Sequence, residues 1–168
     1  MTMIDPAIVP QRTLYTGAKM PAVGMGTFGS DHADADAVSA SVAGALRVGY
    51  RSFDCAACYG NEDMIGKIFA DAFAEGIVKR EELFIASKVW NDMHGDGDVL
   101  IACAKTLKDL KLDYLDMYYV HWPFPNYHEP HCDVDSRNPD SKPFTVERFM
   151  KTWRQMERLV DMLSLIHI

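Results

Sequence analysis

Several features are scarce in this chain, and each scarcity excludes a class of protein. Four cysteines in 168 residues are too few for a disulfide framework, and in a reducing compartment they are expected to be thiols. No apolar run approaches the roughly 18 residues that a membrane helix needs. Positive charge is sparse and never clustered. Seventeen Lys and Arg stand against 24 Asp and Glu, a net charge of −7, and the pair Lys79-Arg80 is followed at once by Glu81-Glu82. An acidic chain is a poor binder of phosphate backbones, so neither a nucleic acid nor a membrane is expected as partner. Met1 to Pro10 carries Asp5 and no basic stretch, unlike a secretory leader, which makes the cytoplasm the expected location.

What remains is an ordinary globular composition, 48% hydrophobic and 24% charged, long enough to bury one core. It is too short for a complete eight-stranded α/β barrel, which takes roughly 250 residues. Strand and helix patterns alternate. Arg12 to Thr16 and Met20 to Gly24 flank a Gly17-bearing turn and predict a hairpin. A short strand is predicted near Gly24 to Phe28. Helices are predicted from about Asp34 to Val48, from Glu62 to Glu75, from an Asp98 cap onward, and from Thr145. Between them lie strand patterns at Ser52 to Ala56, Leu83 to Val89 and Leu115 to His121. A loop from Trp122 to Pro143 holds five of the eight prolines. Strands separated by helical crossovers pair in parallel. Two architectures satisfy this order: an open doubly wound sheet, or half of a closed barrel.

Buried parallel strands should be apolar, so polar residues at their ends carry information. Asp54, Lys88 and His121 each lie near the C-terminal end of a successive strand, and Tyr59 sits five residues past Asp54. That edge is where ligands bind in both architectures. A phenol ordinarily keeps its proton at neutral pH. A neighbouring Lys88 ammonium is expected to lower the Tyr59 pKa, and Asp54 to keep that ammonium charged. Tyr59 could then protonate a developing alkoxide, while a neutral His121 holds the same oxygen. Such a set suits reduction of a carbonyl by a hydride that no side chain can supply, which implies a nicotinamide cofactor.

At these residues the sequence resembles the aldo-keto reductases. Gly49-Tyr-Arg-Ser-Phe-Asp-Cys-Ala56 followed by Glu62-Asp-Met-Ile-Gly66 is similar to that family's first signature. Ser87-Lys-Val-Trp-Asn91, Leu112 to Pro123, and the opening stretch Thr16 to Phe28 match further family segments in order and spacing. The resemblance implies the N-terminal half of a (β/α)8 TIM barrel preceded by a β-hairpin, truncated after about four βα units. It implies NADPH-dependent reduction of an aldehyde or ketone, with a small carbonyl compound as partner and no implied oligomeric state. It casts Tyr59 as general acid, Lys88 and Asp54 as its tuners, and His121 as the group orienting the carbonyl. Gly26, Thr27 and Asp54 would border the nicotinamide riboside. Phe28, Trp90 and Trp122 would wall the substrate pocket together with His121. The carboxamide-binding pair, the stacking aromatic and the 2′-phosphate contacts belong to the family's other half. A regulatory or binding protein on the same fold, such as a channel β-subunit, can keep the same four residues and is the alternative reading.

The family pattern runs to Met162. The final Leu163-Ser-Leu-Ile-His-Ile168 departs from it and reads as the translation of a transposase mosaic end, so residues 1–162 are expected to form the partial barrel and residues 163–168 a non-native tail. Other motifs carry less. Gly24-Met-Gly-Thr-Phe-Gly29 fits a dinucleotide fingerprint, but no helix opens at its last glycine. Tyr15 and Lys19 fit Y-x-x-x-K inside a hairpin turn. In Cys55-Ala-Ala-Cys58, Cys55 is expected to face the helices, away from Asp54. His121, His128, His131 and Cys132 lack metal-ligand spacing, so no metal site is expected.

Overall fold

The computed structural model describes residues 4–29, 32–123 and 143–162. Most of the proline-rich loop lies outside the described residues, including His128, His131 and Cys132, and so does the 163–168 tail. The hairpin forms from β1 (Gln11–Thr13) and β2 (Lys19–Pro21). Four further strands follow: β3 (Met25–Gly26), β4 (Ser52–Asp54), β5 (Phe84–Val89) and β6 (Met117–Val120). They alternate with α1 (Ala35–Val48), α2 (Glu62–Ala74), α3 (Asp98–Leu110) and α4 (Val146–Asp161). The elements fall where the patterns predict them, with shorter strands.

The sheet order decides between the two architectures. All four strands are parallel and lie in strictly sequential order, β3-β4-β5-β6. A doubly wound sheet reverses direction at a switch point. Right-handed crossovers that always step the same way place every helix on one face, which is barrel winding. Side chains therefore divide cleanly. Phe53, Ile85, Val89 and Tyr118 pack outward against Val42, Leu46, Ile65, Phe69, Val99, Cys103 and Leu110 of the helices. Phe84, Ala86 and Met117 face the other way and are covered by Leu14 and Met20 around the hairpin. The hairpin thus closes the end of the sheet from which the strands start.

Sequence chemistry sets the helix limits. The Asp34 carboxylate accepts from Ala37 N at 2.8 Å and the Thr145 hydroxyl from Arg148 N at 3.2 Å, capping α1 and α4. The expected Asp98 cap of α3 is a correction. Gly97 is the cap residue, at φ 85°, and Asp98 is the first helical residue. The Asp98 carboxylate accepts instead from Gly95 N at 2.8 Å, tying down the loop before the helix. Gly66 lets α2 and α3 touch, since a Cβ there would meet Asp109 O at 2.1 Å. On α4, Met156 and Leu159 are buried as expected, but Phe149, Trp153 and Val160 are only half-buried, and Thr152 and Gln155 take buried places.

Gln155 explains its own burial. Its Oε1 accepts from Gly97 N at 2.9 Å and its Nε2 donates to Gly95 O at 2.9 Å. One side chain thereby fixes the loop leaving β5 to the last helix. Gln155→Ala strands two backbone groups and is expected to destabilise the fold by about 1–3 kcal/mol, read by chemical denaturation. A change below about 0.5 kcal/mol, the range of an inconsequential surface substitution, would show that the loop is held elsewhere.

Candidate active site

Register in the sheet assembles the site. Gly26 lies beside Asp54 and Asp54 beside Ala86, so all three share the inner face. Two residues further along β5, Lys88 returns to that face, level with Tyr119 of β6. Tyr59 ends a 3-10 turn, Ala57–Tyr59, between β4 and α2. His121 directly follows β6, and its N–H donates to Val89 O. The four polar residues thus converge at the C-terminal strand ends. A cavity of about 320 Å³ opens there, lined by Asp54, Lys88, Tyr119, Val120 and His121. A larger one, about 490 Å³, lies at the opposite end between the 4–9 segment and the strand starts and holds none of the four.

The Lys88 ammonium is the centre. Its Nζ donates to Asp54 Oδ1 at 2.7 Å, to Cys55 O at 2.8 Å and to the Tyr59 hydroxyl at 3.4 Å. Burial works against its charge, but the Asp54 hydrogen bond and charge outweigh burial and raise the Lys88 pKa above the ordinary lysine value. Tyr59 departs from expectation. Burial raises its pKa above the ordinary phenol value, and the Lys88 charge and hydrogen bond recover only part of that rise. The phenol therefore holds its proton firmly. Burial, aided by the Lys88 charge, lowers the His121 pKa to about 4, so the ring is neutral at physiological pH.

Aromatic groups enclose this cluster. Phe28 packs on Tyr59 with ring centroids 5.0 Å apart, and Tyr59 meets His121 edge-on at 5.9 Å. Trp90 lies 4.9 Å from His121 and 5.3 Å from Trp122. The predicted wall residues therefore all border the site, with Phe28 exposed and Trp90 buried. Gly26 borders open space, where a Cβ would meet nothing within 4 Å. Thr27 is fully buried, and its hydroxyl donates to Asp54 O at 3.1 Å, so it braces the strand end from behind.

Sequence reasoning missed the supports. Asn61 Nδ2 donates to Thr27 O at 2.9 Å, joining the loops after β3 and β4. Glu62, buried in the first turn of α2, accepts from Ser87 Oγ at 2.6 Å and Thr106 Oγ1 at 3.0 Å. Burial raises its pKa, although both hydroxyls oppose that rise. Because Ser87 precedes Lys88 on β5, this contact fixes the strand that carries the ammonium. Position and resemblance were the available signals: Asn61 sits between Tyr59 and a helical pattern, and Glu62 opens both that pattern and the second part of the family signature. Cys55 is fully buried in the helix-side core, as expected, which pushes its thiol up to about 12.

The sequence model described as "Aldo/keto reductase family" matches residues 22–162. The chain belongs to the aldo/keto reductase family. It is 45% identical over 154 residues to an aldo/keto reductase of Synechocystis, covering 92% of this chain and 45% of the relative. The crystal structure of a Bombyx mori aldo-keto reductase in complex with NADP superposes with a TM-score of 0.78 at 34% identity, covering 94% of this chain and 48% of that one. An aldo-keto reductase complexed with NADPH gives a TM-score of 0.77 at 29% identity, with 94% and 46% covered. The chain thus spans about half the length of the aldo/keto reductases it matches.

Two neutral histidines make folding sensitive to acid. Burial lowers the pKa of His94, as of His121, to about 4, while an unfolded histidine titrates near about 6.5. Between those values the unfolded chain binds more protons, so stability falls as pH drops through that window. The buried His94 contributes on the order of 1–3 kcal/mol to this loss. Denaturation midpoints at neutral and at mildly acid pH measure it. His94→Gln should flatten the difference, and an unchanged pH slope would exclude His94 as its source.

Proposed function

We propose that the site reduces an aldehyde or ketone to an alcohol, with Tyr59 as the proton donor. The observation that carries this reading is the single ammonium of Lys88 in contact with both the Asp54 carboxylate and the Tyr59 hydroxyl, beside a neutral imidazole. The thiol nearest that cluster, Cys58, is pushed up to about 12 by burial and so is not an activated nucleophile.

NADPH is the proposed cofactor, and it would supply hydride to the carbonyl carbon. The residues present fit its nicotinamide end. The half-exposed Asp54 side chain offers a carboxylate to a ribose hydroxyl. The neighbouring Gly26 leaves room for it, and the solved relatives are complexes with NADP and NADPH. On the protein's side, Phe28, Trp90 and Trp122 exclude water from the carbonyl. His121 hydrogen-bonds the carbonyl oxygen. The Tyr59 hydroxyl gives that oxygen its proton as charge develops there, and the adjacent Lys88 ammonium stabilises the phenolate left behind. The raised phenol pKa suits this order of events, because the proton stays on Tyr59 until a stronger base appears.

The four-stranded unit is proposed to work as half of a complete barrel. Its outer strands β3 and β6 each have one unpaired edge among the described residues, a state that favours association. Purified alone, residues 1–168 are expected to associate in sedimentation and to show no aldehyde-dependent NADPH oxidation. In the complete barrel, Tyr59→Phe should lower kcat by about 10²- to 10⁴-fold, the range of a lost general acid, with NADPH binding retained. A complete barrel that binds NADPH yet turns over no aldehyde would favour the regulatory reading instead.

A further inference from the structure

Cys58 adjoins the proposed acid and has no part in the chemistry described so far. Its Sγ lies 3.5 Å from His121 Nδ1. Among the described residues, the rings of Trp90, Tyr59 and Trp122 also border that imidazole, at 4.9, 5.9 and 6.4 Å between centroids. These rings hold the imidazole plane, but ring packing does not select which nitrogen carries the proton. A neutral imidazole has one donor and one acceptor nitrogen, and a thiol is a weak donor. Both partners are uncharged at neutral pH. Burial pushes the Cys58 thiol up to about 12, with the Lys88 charge opposing, and His121 sits at about 4.

We infer that Cys58 is a positioning residue: it donates its S–H to His121 Nδ1 and so keeps the ring proton on Nε2, the nitrogen left to address a carbonyl oxygen. The consequence is a sign. With the proton on Nε2, the imidazole donates a hydrogen bond to that oxygen. With the proton on Nδ1, Nε2 presents a lone pair and repels it. The role toward a carbonyl rests on the proposed reduction, whereas the choice of tautomer does not.

The test separates the two. Ring-nitrogen NMR shifts of His121 in this chain, assigned against His121→Gln, report the tautomer directly. The wild type is expected to show protonated Nε2 and unprotonated Nδ1. Cys58→Ser, which keeps a donor, should preserve that pattern, and Cys58→Ala should move both shifts toward a mixture of tautomers. Protonated Nδ1 in the wild type, or identical shifts in Cys58→Ala, would overturn the assignment. In the complete barrel, Cys58→Ala should lower kcat/KM about five- to tenfold, the loss that one neutral hydrogen bond corresponds to. Cys58→Ser should restore most of it, and NADPH affinity should not move. Equal kcat/KM for Cys58→Ala and wild type would overturn the positioning role. Absence of turnover in the wild-type barrel would count against the reductase reading alone, since the NMR result still decides the tautomer.

Discussion

A half-buried ammonium, that of Lys88, organises this protein's chemistry. An ammonium taken out of water is costly unless its donors are satisfied, and here three oxygens receive it: the Asp54 carboxylate, the Cys55 carbonyl and the Tyr59 hydroxyl. Each comes from β4 or the turn that follows it, while the lysine comes from β5. The cation therefore joins two neighbouring strand ends and places a phenol where a positive charge can answer its ionisation. Asp54 keeps the cation charged, the cation eases loss of the Tyr59 proton, and burial sets how firmly that proton is held. None of the three side chains would have these properties alone.

The scaffold that holds the cation is a second layer of polar contacts on the helix side of the sheet. Alternation along β5 sends Lys88 inward and Ser87 outward, where Ser87 meets the buried Glu62 carboxyl, itself also bound by Thr106 of α3. Asn61 ties the β3 loop to the turn bearing Tyr59, and Thr27 braces the Asp54 carbonyl. Gln155 performs the corresponding task for the loop after β5. The strand ends are thus held from behind by groups that never reach the cavity, which leaves the cavity face free for ligands.

Much of this was legible in the residues. Apolar spacing located all four helices, and the expectation that parallel strands be apolar singled out Asp54, Lys88 and His121. Local patterns alone left a doubly wound sheet and a half barrel both open, because they encode strand and helix but not the direction in which successive crossovers step; the family resemblance pointed to the half barrel, and the sequential sheet order bears it out. The Asp98 cap was misplaced for a related reason: an aspartate before a helical pattern fits a cap or a first-turn position equally, and Gln155, remote in sequence, settles the loop that decides it. The Tyr59 pKa was read from its charged neighbour, yet burial is the larger effect and depends on Phe28 and His121 arriving from other strands. The contacts of Glu62 and Cys58 were opaque because a first-turn acid usually faces solvent and a C-x-x-C spacing carries no message about a histidine remote in sequence.

The central claim is that the Lys88 charge acts on the Tyr59 phenol. A pH titration of Tyr59, followed by the NMR shift of its ring carbon bearing the hydroxyl, tests this in the wild-type chain and in Lys88→Met. The account predicts a higher titration midpoint for Lys88→Met, because burial then acts on the phenol without the opposing ammonium. A midpoint that stays unchanged, or moves lower, would contradict it.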